Sequence, residues 1–263
     1  MKQRVVTAIL FGLFFIPITF FGGLPFKVLI YVFATIGLVE LLRMRKISPT
    51  SFPGLTTLIL LWILLVPIPS LIFFDYMDMT KSEATLLAVL ILLAYTVLVK
   101  NKFTFDDAGF LLLSAIYVGM GFYYLILTRE AGVHYVFFAL FLIWATDTGA
   151  FFFGKAYGKR KLWPKISPNK TVEGAVGGIL LACLVAAIFQ LIVSVHATFF
   201  VVIAVAILVS IFGQIGDLVE SAYKRHYSVK DSGKLLPGHG GVLDRFDSLI
   251  FVLPILHFIH FIS

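Results

Sequence analysis

The most regular feature of the sequence is a recurring apolar segment, separated from the next by a short polar connection. A helix of about 20 apolar residues crosses the hydrocarbon core of a bilayer, which is about 30 Å thick. The pattern predicts about nine transmembrane helices, near residues 5–22, 27–43, 55–74, 84–99, 109–127, 133–153, 172–194, 197–220 and 242–262. We therefore expect an all-α, polytopic integral membrane bundle, because backbone groups in lipid must be satisfied within each segment.

Composition supports this reading. Hydrophobic residues make up 60% of the chain and charged residues only 13%, whereas a soluble domain is about one-quarter charged. The start of the chain is similar to a signal peptide, but its apolar run has the length of a bilayer span and no small-residue cleavage site follows. We interpret it as the first helix. The single cysteine, Cys183, excludes an intrachain disulfide.

The net charge of +7 is explained by topology rather than by nucleic-acid binding. With nine helices, all lysines and arginines except Lys27, Lys81 and Arg129 fall on the side that holds the N-terminus. Cytoplasmic loops carry an excess of Lys and Arg. The sequence therefore predicts a cytoplasmic N-terminus, an external C-terminus and no nucleic-acid partner.

Carboxylates occur at four predicted helix ends, all on the cytoplasmic side: Asp147, Glu173, Asp217 and Asp244. A carboxylate at mid-membrane costs about 2.5–3.5 kcal/mol and usually faces a polar cavity. One such residue can simply reach the interface from a helix end. Four on one side, beside the two most basic loops, favour a shared site.

Helical spacing places further polar groups beside two of these acids. One face combines Asp217, Glu220, Ser221 and Lys224, and another combines Asp244, Asp247 and Ser248. Two acidic faces that enter one cavity suit Mg²⁺, which takes oxygen ligands and keeps positions open for phosphate. No Cys/His cluster has zinc-type spacing.

The basic loop between the sixth and seventh helices ends in Ser167-Pro168-Asn169-Lys170-Thr171-Val172-Glu173-Gly174. A basic cytoplasmic loop also fixes topology and binds anionic headgroups. A helix N-terminus nevertheless suits a phosphate. We expect Ser167 or Asn169 to cap this helix and Lys170 to reach the anion. The segment is not a Walker A loop, because the required spacing is absent.

The longest polar stretch, residues 221–247, carries the most specific pattern. It reads Ser221-x-x-Lys224-Arg225, then Lys230-Asp231, then Pro237-x-His239-Gly240-Gly241-x-x-Asp244-Arg245-x-Asp247. This pattern resembles the signature of phosphatidate cytidylyltransferases, also called CDP-diacylglycerol synthases. The Ser167–Thr171 segment, the helix that carries Asp147 and the nine-helix layout are similar to that family too. The first 130 residues match it mainly in hydropathy.

The resemblance implies that CTP and phosphatidic acid give CDP-diacylglycerol and pyrophosphate at a site that requires Mg²⁺. It implies a two-metal site with Asp217 and Asp244 as ligands, a second cation such as K⁺ nearby, and a possible homodimer. Asp247 is expected to support the second cation or the ligand set.

The remaining site residues follow from charge and shape. Lys170, Lys224, Arg225, Lys230 and Arg245 are expected to neutralise CTP or the lipid phosphate. Gly238, Gly240 and Gly241 are expected to let the backbone approach the nucleotide. His239 either assists the pyrophosphate leaving group or caps its turn. The expected substrate-binding set also includes Asp147, Ser167, Asn169, Thr171, Glu173, Ser221 and Asp231.

We predict that residues 1–130 form a scaffold of about five helices and that residues 131–263 carry the site, facing the cytoplasm of the cell membrane. Two alternatives remain open. A related cytidylyltransferase would use another lipid-linked acceptor. A transporter also places carboxylates around a cavity, although these acids lie towards one face and no inverted repeat is evident.

Overall fold

The computed structural model describes residues 2–67, 80–196, 198–238 and 240–262. Within these residues the chain forms nine helices and one two-stranded sheet. The elements are α1 Lys2–Phe21, α2 Gly23–Met44, α3 Phe52–Leu65, α4 Lys81–Leu98, α5 Phe105–Ala131, α6 Val133–Tyr157, β1 Lys161–Trp163, β2 Ser167–Thr171, α7 Val172–Ile192, α8 Phe199–His226 and α9 Leu243–Phe258. The predicted all-α membrane architecture is confirmed.

Local sequence signals explain several helix boundaries. Gly22 has a φ of 65° and permits the tight turn between α1 and α2. Ser51 accepts a hydrogen bond from the Gly54 amide and caps α3. Thr80 and Glu83 form a reciprocal capping box at the start of α4.

Six of the described helices, α2 and α4 to α8, are long and apolar enough to cross a membrane. The apolar stretch Ile9–Phe21 of α1 and the whole of α3 are shorter, and α9 has 16 residues. The third helix was predicted near 55–74, and its predicted end from residue 68 onward lies outside the described residues. Three helices run well past their predicted C-terminal ends: α5 reaches Ala131, α6 reaches Tyr157 and α8 reaches His226.

The chain divides into two compact units. The first comprises Met1–Leu127 together with Ser232–Leu243, and the second comprises Thr128–Asp231 together with Asp244–Ser263. Residues 131–263 were predicted to form one C-terminal region, whereas the segment Ser232–Leu243 belongs to the first unit. In that unit Leu60, Leu64, Ala88 and Ala115 form a buried cluster of α3, α4 and α5.

The second unit contains a hairpin that the sequence analysis did not predict. Strands β1 and β2 pair antiparallel, with Lys161 opposite Thr171 and Trp163 opposite Ser167. The strands have only three and five residues, too few for an alternating apolar pattern to stand out in a basic loop. The hairpin leads directly into α7.

Candidate active site

Five acidic residues of the second unit lie on three helices. Helix α6 carries Asp147, α8 carries Asp217 and Glu220, and α9 carries Asp244 and Asp247. Close packing of helix pairs through glycine brings these positions together.

Helices α6 and α7 pack with their backbones in contact. A Cβ atom at Gly149 would lie 2.7 Å from the Gly177 carbonyl oxygen, and one at Gly178 would lie 2.7 Å from the Thr146 carbonyl oxygen. Small residues allow such approach between membrane helices. The contact fixes the stretch of α6 around Asp147 against the first turns of α7.

Helices α8 and α9 meet in the same manner. A Cβ atom at Gly216 would lie 2.8 Å from the Asp247 carbonyl oxygen. The Ser248 hydroxyl donates to the Gly213 carbonyl at 3.0 Å. Gly216 precedes Asp217, so this contact sets the register between the acids of α8 and those of α9.

Lys224 joins two of these acids. Its ammonium donates to Glu220 at 2.9 Å and to Asp244 at 2.7 Å, and the two acidic side chains are only 2% and 5% exposed. Removing one partner from a buried ion pair is costly because the remaining charge stays uncompensated. Oε1 of Glu220 is buried and has no hydrogen-bond partner among the described residues. Two buried carboxyl groups thus share the single ammonium of Lys224.

A second lysine reaches the cluster from the hairpin. Lys170 of β2 forms an ion pair and hydrogen bond with Asp217. The Ser221 hydroxyl donates to the same carboxylate at 3.4 Å. Asp147 of α6 and Lys170 line the same cavity. The structure therefore brings Asp147, Lys170 and Asp217 near one another, and their roles in a shared site stay a prediction.

A cavity of about 400 Å³ opens between α6, the hairpin and α7. Its polar lining includes Asp147, Asn169, Lys170, Thr171 and Gln214. Ala150, Phe151, Leu162 and Ala175 add apolar surface. A cavity with both kinds of lining can take a ligand that has a charged group and an apolar part.

The start of α7 differs from the prediction. Thr171, not Ser167 or Asn169, caps the helix by accepting from the Gly174 amide at 3.1 Å. The predicted caps are wrong because both residues lie in β2, before the residue that immediately precedes the first helical turn.

Glu173 has partners within its own unit. Its carboxylate accepts from the backbone amides of Lys159 and Arg160, each at 3.1 Å, and from Arg160 Nε at 3.0 Å. These bonds tie the chain before β1 to the first turn of α7. The structure thus places Glu173 as a support for the hairpin that delivers Lys170.

Other predicted site residues lie at or beyond the end of α8. Arg225 donates through Nε to the Ile166 carbonyl at 3.3 Å, and Lys230 and Asp231 are exposed. In the first unit, Gly238 and Gly240 have φ angles of 76° and 82°, which favour glycine. Gly241 is buried, and His239 lies outside the described residues.

The described residues contain no group of three or more His, Cys, Asp or Glu side chains arranged as a ready-made metal site. Lysines bind two of the predicted ligands, Asp217 and Asp244. The assignment of Asp217, Asp244 and Asp247 as metal ligands stays a prediction.

Sequence reasoning gave no role to three polar residues of the described chain. Glu220 was noted only as part of an acidic face, and its spacing of four residues from Lys224 was the available signal. Gln214 lines the cavity. Glu40 was overlooked, although it is the only acid in α2, and an isolated acid in an apolar helix is itself a signal of function.

Comparison with known proteins extends over nearly the whole chain. A sequence profile described as "Cytidylyltransferase family" matches residues 2–263. A protein of Bacillus subtilis named phosphatidate cytidylyltransferase is 53% identical over 262 residues, covering 98% of this chain and 97% of its own. Proteins with the same name from Staphylococcus epidermidis and Staphylococcus aureus are 48% and 45% identical over 257 residues, and each alignment covers 98% of both chains.

Proposed function

The chain belongs to the cytidylyltransferase family, and we propose that it is a membrane enzyme that makes CDP-diacylglycerol. It converts CTP and phosphatidate into CDP-diacylglycerol and pyrophosphate, a step of phospholipid biosynthesis. The observation that carries this conclusion is the near full-length similarity to relatives with one name. The acid and lysine cluster of α6, β2, α8 and α9 supports it.

The reaction needs little proton transfer. A phosphate oxygen of phosphatidate attacks the α-phosphorus of CTP, a new P–O bond forms, and the bond to the β-phosphate breaks to release pyrophosphate. The second pKa of a phosphomonoester is about 6, so the nucleophile is mostly ionised at neutral pH. Hence the site must chiefly position two anions and neutralise their charge.

The lysines that lie among the acids are suited to this task. Lys170 lies at Asp217 and Lys224 between Glu220 and Asp244. We assign both ammonium groups, together with Arg225, Lys230 and Arg245, to the neutralisation of the triphosphate and the lipid phosphate. Carboxylate partners hold the two lysines in place, which reduces the cost of ordering them.

The acidic cluster fits a hard cation. Its donors are the carboxylates of Asp147, Asp217, Glu220, Asp244 and Asp247, and Mg²⁺ prefers oxygen ligands. Oε1 of Glu220 is buried and has no hydrogen-bond partner among the described residues, so it is available as an oxygen ligand. Asp217, Asp244 and Asp247 would hold Mg²⁺, with a second cation such as K⁺ beside it. Bound there, Mg²⁺ would stabilise the negative charge on the triphosphate and on the departing pyrophosphate.

The distribution of Lys and Arg supports a site on the cytoplasmic side of the cell membrane. CTP is a cytosolic nucleotide, and that orientation gives it direct access. A homodimer is also part of this proposal, and the mass of the purified protein in detergent tests it.

Purified full-length protein, supplied with CTP, phosphatidate and Mg²⁺ in detergent, is expected to release pyrophosphate and form CDP-diacylglycerol in equal amounts. Asp106→Asn is the matched control for the carboxylate variants Asp217→Asn and Asp244→Asn, because Asp106 is an exposed acid in the first turn of α5. Asp106→Asn should retain full turnover. Absence of product with phosphatidate, but formation of a CDP derivative with another lipid-linked phosphate, would replace the proposed substrate by that acceptor.

A further inference from the structure

Helix α2 contains one acid, Glu40, and it is only 4% exposed. A carboxylate within an apolar helix is costly unless hydrogen-bond donors surround it. The reaction described above does not use Glu40.

Both ends of the segment Ser232–Leu243 donate to this carboxylate. The Ser232 hydroxyl donates to Oε2 at 2.9 Å, the Val242 amide donates to Oε1 at 2.9 Å, and the Leu243 amide donates to Oε2 at 3.0 Å. The Glu40 side chain thus holds both ends of a loop in the first unit, although the loop lies 192 to 203 positions later in the sequence.

The two amides lie at the start of α9, which begins at Leu243. The first amides of a helix lack partners within it, and a negative charge there is favourable. Glu40 therefore caps α9 with a carboxylate from α2. Asp244, a predicted ligand of the cation, is the next residue of α9 after Leu243.

The loop backbone is fitted closely around Glu40. A Cβ atom at Gly233 would lie 2.8 Å from Glu40 Cδ, and one at Gly241 would also collide with the carboxylate. Further along the loop, the Leu236 amide donates to the Gly240 carbonyl at 2.9 Å and closes the glycine turn. The shape of the loop therefore depends on the carboxylate at its base.

We propose that Glu40 is a positioning residue for the reaction, a carboxylate that holds Ser232–Leu243 in one conformation and fixes where α9 begins. This inference rests on the proposed function, because the loop contains the glycines assigned to the approach of the nucleotide. Glu40 acts through Ser232, Val242 and Leu243 and does not contact the reacting atoms.

Glu40→Gln tests the inference at nearly constant volume. Each carboxylate oxygen accepts from a backbone amide, so the carboxamide must present an N–H group to one of these donors. We expect kcat/KM for CTP to fall by about 10- to 100-fold, with KM for phosphatidate within about twofold of its original value. The amides of Val242 and Leu243 should exchange hydrogen faster than in the wild-type protein, while the amides of α2 should stay protected.

Two further variants keep the test informative. Glu40→Asp retains the charge, and its kcat/KM is expected to be at least about threefold higher than that of Glu40→Gln. Ser232→Ala removes one donor of three and should cost about two- to fivefold. If Glu40→Gln does not fold, these two variants decide the question, and wild-type kcat/KM in both would overturn the proposal.

Thr57→Val is the matched control, because Thr57 is 1% exposed in the same unit and donates within its own helix to Pro53 at 2.7 Å. The proposal is refuted if Glu40→Gln behaves like Thr57→Val, or if it loosens all helices equally and lowers activity only in step with the folded fraction. Hydrogen exchange needs no substrate. A wild-type protein without cytidylyltransferase activity would therefore remove the proposed function but leave the test of the loop intact.

Discussion

Lys224→Met is the most direct test of the charge cluster. The ammonium lies 2.9 Å from Glu220 and 2.7 Å from Asp244. Coulomb's law with an effective dielectric constant of about 20 gives roughly 6 kcal/mol of attraction for each pair. Much of that attraction offsets the desolvation of buried ions. We expect the net loss of unfolding free energy to be about 3–5 kcal/mol, the usual cost of removing one partner of a buried ion pair.

Equilibrium unfolding in detergent micelles, followed by helical circular dichroism, measures this loss. A change of that size lowers the ratio of folded to unfolded protein by roughly 10²- to 10⁴-fold. The double variant Lys224→Met with Glu220→Gln removes one of the two stranded charges and should recover about half of the loss. Lys161→Met, at an exposed lysine of β1, should change stability by no more than about 0.5 kcal/mol.

The predicted stabilising role of Lys224 is refuted if Lys224→Met unfolds like Lys161→Met. It also fails if Glu220→Gln gives no recovery in the Lys224→Met background, because the stranded carboxylate would then carry no penalty. In the first case, the ion pairs of Lys224 would contribute little to the stability of the second unit. In the second case, the loss would not come from the Glu220 carboxylate.

Three further predictions concern catalysis, packing and topology. Asp217→Asn and Asp244→Asn should each lower turnover by at least about 100-fold while the protein remains folded and inserted, and substantial activity in either would remove the proposed cation-ligand role. Gly216→Leu should cost at least about 1–3 kcal/mol of stability and reduce turnover, because its Cβ would lie 2.8 Å from the Asp247 carbonyl oxygen. Unfolding and pyrophosphate release measure both effects, and an unchanged protein would refute close α8–α9 packing. A cysteine added after Ser263, in a background without the native cysteine, should react with an impermeant reagent from outside the cell. Reaction from the cytoplasm alone would overturn the predicted orientation.

The helical architecture could be predicted from sequence because the requirement that produces it is local. Each helix must satisfy its own backbone in lipid, so length and hydropathy identify it without knowledge of its neighbours. The capping box of Thr80 and Glu83 is equally local. The hairpin of Lys161–Trp163 and Ser167–Thr171 was not predicted, because its short strands lie in a polar connection. These strands pair with each other and show no hydropathy pattern of a membrane segment.

The candidate site was predictable to the extent that helical spacing determines it. The face of Asp217, Ser221 and Lys224 follows from 3.6 residues per turn, and the structure keeps these residues on one helix. Spacing cannot specify the partner of a long side chain. Lys170 pairs with Asp217 across 47 positions of sequence, and Glu40 reaches Leu243 across 203.

By itself, the sequence determined that the chain is a helical membrane protein, and its polar motifs, through their resemblance to a family, indicated a cytidylyltransferase. These properties depend on the order of residues within single segments. The tertiary structure alone decided which lysine neutralises which acid, that Thr171 rather than Ser167 caps α7, and that Glu40 caps α9. Those contacts depend on how closely glycines let helices approach and on which buried charges must find partners, and both are settled only when distant segments pack.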